Sequence, residues 1–115
     1  MRISALIATL VFCAVAILPG HAVSPAATAM AKPQAHTVVI EGMRFQPEGL
    51  TVAPGDTVVW LNRDMVPHTA TSASARFDST EIAPGKSWTY TAKARGEFTY
   101  LCTYHPTMKG IVRIR

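Results

Sequence analysis

Residues 102–108 read Cys-Thr-Tyr-His-Pro-Thr-Met, and this segment largely decides which fold and chemistry the chain can support. It places a thiol, an imidazole and a thioether at intervals of three residues, directly after a strand-like run. On an α-helix the first and last of these side chains would be roughly 9 Å apart along the axis, at about 1.5 Å per residue. Pro106 also disfavours a helix and favours extended backbone at His105. We therefore predict a loop that curls around a metal ion.

A second imidazole, His68, lies upstream and follows Pro67. Two histidines, one cysteine and one weakly binding methionine are the donor set typical of a copper ion that carries single electrons. Zinc gains little from a thioether, and structural zinc sites usually have more thiolates. A catalytic Cys–His pair is the other chemical alternative, but it would leave the methionine without a role. The predicted copper site consists of His68, Cys102, His105 and Met108.

Short apolar and β-branched segments alternate with turn signals in the rest of the chain, which is typical of an all-β sandwich or barrel. The predicted strands are His36 to Ile40, Leu50 to Ala53, Thr57 to Leu61, Ser87 to Thr91, Gly96 to Cys102 and Gly110 to Arg115. Side chains alternate faces along a strand, so Phe98, Tyr100 and Cys102 share one face. Because that face is aromatic, we expect it to point into the core and to direct Cys102 inward at one end.

The N-terminal segment has the pattern of a cleaved export signal. A basic start is followed by an apolar run from Ile3 to Leu18, and small residues around Ala31 form a cleavage site. The run is too short for a comfortable membrane span of about 20 residues. We therefore predict a signal peptide over residues 1–31, with an alternative cut after Ala22, and a single domain over residues 32–115. No stable membrane insertion is expected after cleavage.

The charge of the predicted mature chain excludes one class of partner. Ten Lys and Arg residues stand against seven Asp and Glu residues, and the basic residues are scattered. Without a basic run interleaved with aromatic residues, nucleic acid is not an expected partner. Cys102 would also be the only cysteine after cleavage, so no disulfide is expected to stabilise the domain.

The chain resembles the cupredoxins, the small blue copper proteins. The residues that carry the resemblance are Pro67-His68, Cys102-x-x-His105-Pro106-x-Met108-x-Gly110, the Pro-Gly-Asp turn before Val58-Val59-Trp60, the Asn-x-Asp-x-x-Pro-His loop and the Gly-x-Phe-x-Tyr-x-Cys strand. Within the family, the short gaps around the second histidine resemble the amicyanins most closely, with pseudoazurin and plastocyanin as relatives. The resemblance covers essentially all of residues 32–115. It implies a Greek-key β-sandwich of about seven to eight strands with one copper ion at one end.

The resemblance also implies a function. We expect a periplasmic, monomeric electron-transfer protein that cycles one mononuclear copper between Cu(I) and Cu(II) and has no enzyme activity. Its partners would be redox proteins, a dehydrogenase and/or a cytochrome, that dock near Met65, Pro67, His105 and Pro106. The alternative function is a periplasmic copper carrier or buffer that uses the same site. Dedicated Cu(I) carriers tend to have Met- or His-rich tracts, and residues 32–115 contain none.

Three features depart from the amicyanin pattern. Thr69 follows His68 where an Asn usually braces the two ligand loops, so we expect weaker bracing. Tyr104 stands where a Pro is typical, which reshapes the ligand loop. The interval of 34 residues between His68 and Cys102 is short for the family, which predicts a trimmed strand or loop near residues 70–80.

Overall fold

The computed structural model of the protein describes residues 32–115, together with Ala14, Ala16, Pro19 and Gly20. The strands of this part of the chain are β1 (Ala35–Ile40), β2 (Phe45–Gln46), β3 (Gly49–Val52), β4 (Thr57–Asn62), β5 (Thr71–Ser72), β6 (Phe77–Asp78), β7 (Ser87–Thr91), β8 (Gly96–Leu101) and β9 (Lys109–Ile114). The predicted signal over residues 1–31 and both of its cleavage points lie outside the described residues. Within the described residues, no helix is long and apolar enough to cross a lipid bilayer.

The strands form two sheets, with the orders β2-β1-β4-β7 and β3-β9-β8-β5-β6. Two neighbouring pairs are parallel, β1 with β4 and β3 with β9, and the other pairs are antiparallel. The antiparallel pair β8–β9 runs in register from Gly96 opposite Ile114 to Leu101 opposite Lys109. The prediction of an all-β sandwich is therefore confirmed.

The core lies between the two sheets and follows the alternation of side chains along the strands. Along β4 every second residue is buried, and Trp60 in its middle has no exposed surface. Tyr100 on β8 is 3% exposed and packs edge-on against Trp60, with ring centroids 5.3 Å apart. Phe98 packs against the same core, and Cys102 is fully buried. The predicted inward face of Phe98, Tyr100 and Cys102 is confirmed.

Three strands of two residues each were not predicted: β2, β5 and β6. They raise the described strands to nine, against the expected seven to eight. Hydrophobic alternation needs about four or more residues to be recognised, so strands this short leave no pattern. β5 and β6 form a small hairpin in the region that the sequence predicted to be trimmed, with Thr71 opposite Asp78.

Candidate metal centre

Two connections meet at one end of the sandwich and carry the predicted donors. His68 lies on the connection between β4 and β5, and it forms an isolated antiparallel bridge with Ile82. The His68 amide donates to the Ile82 carbonyl at 3.2 Å, and the Ile82 amide donates to the His68 carbonyl at 2.7 Å. The other donors lie between β8 and β9. The His68 backbone is therefore tied to a second segment although it lies outside a strand.

The segment 102–108 is a closed loop, as predicted. The Cys102 amide donates to the Met108 carbonyl at 3.1 Å, and the Met108 amide donates to the His105 carbonyl at 2.9 Å. The His105 amide in turn donates to the Cys102 carbonyl at 3.2 Å. These bonds join the first, middle and last residues of the segment, so its shape is set by its own backbone.

Three donor atoms converge where the two connections meet. The Sγ atom of Cys102 lies 3.7 Å from Nδ1 of His68 and 3.7 Å from Nδ1 of His105. All three donor atoms lie within 4.8 Å of one another. Metal–sulfur and metal–nitrogen bonds are about 2.3 Å and about 2.0 Å long, so one ion could bind the sulfur and a nitrogen in a bent arrangement. The spacing and chemistry of the donors fit a copper ion.

The donors differ in exposure. His68 and Cys102 have no exposed surface, and Met108 is 4% exposed. His105 is only partly buried, and its neighbours Tyr104 and Pro106 are exposed. Met108 is linked to the other two residues of its loop through the backbone bonds described above. The loop thus leaves His105 partly exposed to solvent and keeps the thiol inside.

Asp64 orients His68, and sequence reasoning did not identify this role. Its Oδ2 atom lies 2.8 Å from Nε2 of His68 and accepts a hydrogen bond from the Met43 amide at 3.0 Å. Its Oδ1 atom accepts a hydrogen bond from the Gly42 amide at 2.7 Å. Burial alone would raise the pKa of Asp64, but the hydrogen bonds from Met43, His68 and Gly42 outweigh it and hold that pKa below its ordinary value. A carboxylate on the far nitrogen of a histidine is a common support for a metal ligand. In the sequence, this role could have been inferred from a carboxylate that lies four residues before the histidine in a loop.

Asn62 supports the same connection from the end of β4. Its side-chain amide donates to the carbonyls of Val66 (2.8 Å) and Ile82 (2.9 Å), and its Oδ1 accepts the Asp64 amide at 2.9 Å. Asn62 is fully buried. It therefore holds Asp64 in place and links the turn before His68 to the segment that bridges it.

Thr69 braces the two ligand connections. Its hydroxyl oxygen accepts the Thr103 amide at 2.9 Å, and its own amide donates to Sγ of Cys102 at 3.3 Å. From the sequence we expected a threonine at this position to brace the two ligand connections less strongly than an asparagine. The structure shows a third contact to the same loop, between the hydroxyl oxygens of Thr69 and Thr103 at 3.1 Å.

The protein has clear relatives. Its sequence matches the family model of the cupredoxin-like domain over residues 4–113. Amicyanin from Paracoccus denitrificans is 32% identical over 94 residues, which cover 77% of this chain and 72% of that protein. Among solved structures, a Cu(I) form of an amicyanin variant superposes with a TM-score of 0.65 at 29% identity, over 70% of this chain and 82% of that one.

An enzyme with a similar domain is also among the neighbours. A copper-containing nitrite reductase from Thermus scotoductus SA-01 superposes with a TM-score of 0.67 at 29% identity. The match covers 73% of this chain and only 23% of the reductase. The family match over nearly the whole chain and the convergent sulfur and nitrogen donors lead to one conclusion: this chain belongs to the cupredoxin family, and its cofactor is one copper ion.

Proposed function

We propose that this copper electron-transfer protein works in the periplasm, and that His68, Cys102, His105 and, more weakly, Met108 hold its single copper ion. The convergence of the three donor atoms within 4.8 Å carries this assignment. Bound there, copper supplies a reversible one-electron couple between Cu(I) and Cu(II). Every other requirement of electron transfer falls on the protein, which must hold the donors still and bring one of them close to a partner.

The first requirement is rigidity, because a site that changes little on oxidation exchanges electrons with little reorganisation. His68 is held at its backbone by Ile82 and at its ring by Asp64. The loop of Cys102 is closed by its own backbone bonds and braced by Thr69. These contacts support a donor set whose positions are fixed before the metal binds.

The second requirement is access for electrons. Since His68 and Cys102 are fully buried, the partly exposed ring of His105 is the donor through which a partner would reach the site. Exposed apolar side chains lie on the two connections that carry the donors. Met65 is 95% exposed, Val66 is 42% exposed and Tyr104 is 50% exposed.

We place the docking surface on Met65, Pro67, His105 and Pro106. Exposed apolar residues beside polar ones mark surfaces that proteins use for binding. Partners would be redox proteins, a dehydrogenase and/or a cytochrome. The mildly basic surface of the mature chain would favour an acidic partner, because opposite charges speed encounter.

The alternative, a copper carrier or buffer, is less well supported by the geometry. Rapid transfer of a metal between proteins needs donors that an incoming ligand can reach. Here the thiol and one imidazole have no exposed surface. We also propose that the protein is a monomer. It would have no enzyme activity, since Met108 would occupy the position that a substrate would need on the metal.

Export and oligomeric state have direct tests. Mass spectrometry of the protein recovered from the periplasm should give a chain that begins at Lys32, or at Val23 for the alternative cut. An intact N-terminus would contradict the export proposal. Analytical ultracentrifugation should give the mass of a single mature chain.

The deciding experiment is to add Cu(II) to the purified protein and to record its visible absorption and EPR spectra. We expect an intense blue thiolate-to-copper band with narrow copper hyperfine splitting. Cys102→Ala should abolish the band, whereas Met108→Leu, a matched apolar replacement of the weak donor, should keep it. A pale copper spectrum, or binding that survives loss of Cys102, would contradict the electron-transfer site and favour the carrier.

A further inference from the structure

Three threonine hydroxyls form a line of contacts that ends beside the metal centre. We call Thr71, Thr69 and Thr103 the threonine chain. The Oγ1 atoms of Thr71 and Thr69 are 3.0 Å apart, and those of Thr69 and Thr103 are 3.1 Å apart. Thr69 and Thr103 are 34 residues apart in the sequence, so the line crosses between the two connections that carry the donors.

A carboxylate ends the line at the outer side. The Thr71 hydroxyl donates to Oδ1 of Asp78 at 3.1 Å. Thr71 and Asp78 are directly opposite each other in the β5–β6 hairpin, and the Thr80 amide donates to the same carboxylate oxygen at 2.8 Å. Strand register and this second bond therefore hold the carboxylate in front of the Thr71 hydroxyl.

The carboxylate determines which way every hydroxyl in the line points. An ionised carboxylate only accepts hydrogen bonds, and each hydroxyl has one proton to donate. Because Thr71 gives its proton to Asp78, it must accept from Thr69.

The remaining hydroxyl protons of the threonine chain are placed in the same way. Because Thr69 gives its proton to Thr71, it must accept the hydroxyl proton of Thr103. The oxygen of Thr69 then receives two donors from Thr103, the hydroxyl and the amide at 2.9 Å. Both of its lone pairs are used.

This order has a consequence at the metal centre. Bonds to a charged acceptor are roughly twice as strong as neutral ones, and bonds in a line polarise one another. Thr69 also donates its amide to Sγ of Cys102 at 3.3 Å. Hydrogen bonding around the cysteine sulfur is one of the properties that tune the potential of such copper sites. A contact that fixes the position of the Thr69 hydroxyl therefore also fixes the Thr69 amide, which is the donor to the sulfur.

We propose that Asp78 is a remote positioning residue for the metal centre. Through the threonine chain, its carboxylate fixes the bonds between Thr69 and the loop of Cys102 and raises the reduction potential of the bound copper. The direction follows from the Thr69 amide, because a hydrogen bond donated to the sulfur withdraws negative charge from the thiolate and stabilises Cu(I) relative to Cu(II). This inference rests on the proposed function, since it concerns the potential of that same copper.

The test is a double-mutant cycle on Asp78→Asn and Thr71→Val. The first removes the charge, and the second removes the hydroxyl that connects the charge to Thr69 while keeping a β-branched side chain in β5. We expect each change to lower the potential, and we expect Asp78→Asn to have a smaller effect in the Thr71→Val background. An equal effect of Asp78→Asn in both backgrounds would mean that the carboxylate acts only through space, and would overturn the proposal.

A second readout uses the metal-free protein. Hydrogen exchange of the Thr103 amide should become roughly twofold to tenfold faster in both variants, which corresponds to weakening one hydrogen bond by about 0.4–1.4 kcal/mol. The Cys102 amide, which donates to Met108, should keep its rate. Unchanged exchange at Thr103 would overturn the proposal. If the protein failed to form a blue copper site, this readout would still test the threonine chain, so failure of the two proposals can be distinguished.

Matched variants complete the experiment. Thr71→Ser retains the hydroxyl and should behave as the wild type in both readouts. Glu81→Gln removes another exposed carboxylate, one without a contact to the threonine chain, and should leave Thr103 exchange unchanged. Thr71→Ala repeats the loss of the hydroxyl with a smaller side chain if the valine variant folds poorly.

Discussion

The Nε2 atom of His68 lies 2.8 Å from Oδ2 of Asp64. This contact fixes the rotation of a fully buried imidazole, because one ring nitrogen faces the carboxylate while Nδ1 faces the sulfur of Cys102 at 3.7 Å. Asp64 is itself held by two backbone amides from the β1–β2 connection. His68 is thus oriented by a carboxylate on its own connection, and backbone amides of the β1–β2 connection hold that carboxylate in place.

Replacing Asp64 should weaken copper binding. We expect Asp64→Ala to lower copper affinity by about 10-fold to 100-fold, the usual effect of removing the group that orients a histidine ligand. Asp64→Asn should fall between this variant and the wild type, because its amide oxygen can still accept the ring N–H. Competition with a chelator of known affinity measures the effect. Glu41→Ala, which removes an exposed acid on the same β1–β2 connection, is the control. Equal affinity of Asp64→Ala and wild type would contradict the role of Asp64.

A charge on Met65 should slow electron transfer without changing the metal centre. Met65→Glu places a charge on the proposed docking surface, where an apolar partner surface would have to desolvate it. We expect a slower electron self-exchange rate, measured by NMR line broadening of mixed Cu(I) and Cu(II) protein, with an unchanged visible spectrum. Ala94→Glu makes the same change in net charge on the β7–β8 connection, just before the end of β8 that lies away from Cys102. If both variants exchange electrons equally fast, docking occurs elsewhere.

The hydrogen bonds of Asp56 should make stability depend on pH in the acid range. The amides of Gln34 and Ala53 and the ring of His36 lower the pKa of Asp56 from 3.8 to about 2. A lowered pKa stabilises the folded state above the unfolded value of 3.8, and the gain is lost as the pH falls through about 2.

The wild type should therefore be more stable than Asp56→Asn at pH 6, and this advantage should shrink between pH 4 and pH 2. Thermal unfolding of the metal-free proteins across this range measures the difference. Metal-free protein is used because acid also removes copper from its ligands. A difference in midpoint that stays constant from pH 6 to pH 2 would rule out the linkage.

Gly110 should not tolerate a side chain. It lies opposite Tyr100 in the β8–β9 pair, and a methyl group added there would overlap the Tyr100 ring. Because that ring packs against Trp60 and Phe45, it cannot move away freely. Gly110→Ala should therefore reduce the free energy of unfolding by about 1–3 kcal/mol, measured by urea denaturation.

Gly49→Ala is the matched control for that substitution. At Gly49 an added methyl group would meet the end of the flexible Arg113 side chain at 3.1 Å, which can turn aside. Its cost should be smaller. Equal losses in the two variants would mean that the cost does not come from the Tyr100 contact.

Some of the fold and the site could be read from local patterns. The strand from Gly96 to Leu101 and the inward direction of Cys102 followed from alternation within a single strand. The loop character of residues 102–108 followed from spacing and from Pro106. The strands β2, β5 and β6 were missed because two residues carry no alternation.

The supporting residues could not be read in this way. The Nε2 atom of His36 lies 2.9 Å from Oδ2 of Asp56, which is 20 residues away in the sequence, and no local pattern marks this pair. Asp64 appeared in the sequence only as one position of the Asn-x-Asp-x-x-Pro-His loop, and its partners could not be inferred from it. Carboxylates and hydroxyls bind water as readily as protein groups, so the sequence does not reveal which of them have a partner.

The sequence by itself determined which donors are available and that they lie on a loop at the end of a strand, because donor chemistry and spacing within one short segment are local properties. Only the tertiary structure decided that His68 meets Cys102, that Asp64 orients it, and that the threonine chain connects Asp78 to the ligand loop. These contacts join segments up to 34 residues apart. Their geometry depends on how the two sheets bring the connections together, and no local pattern encodes that approach.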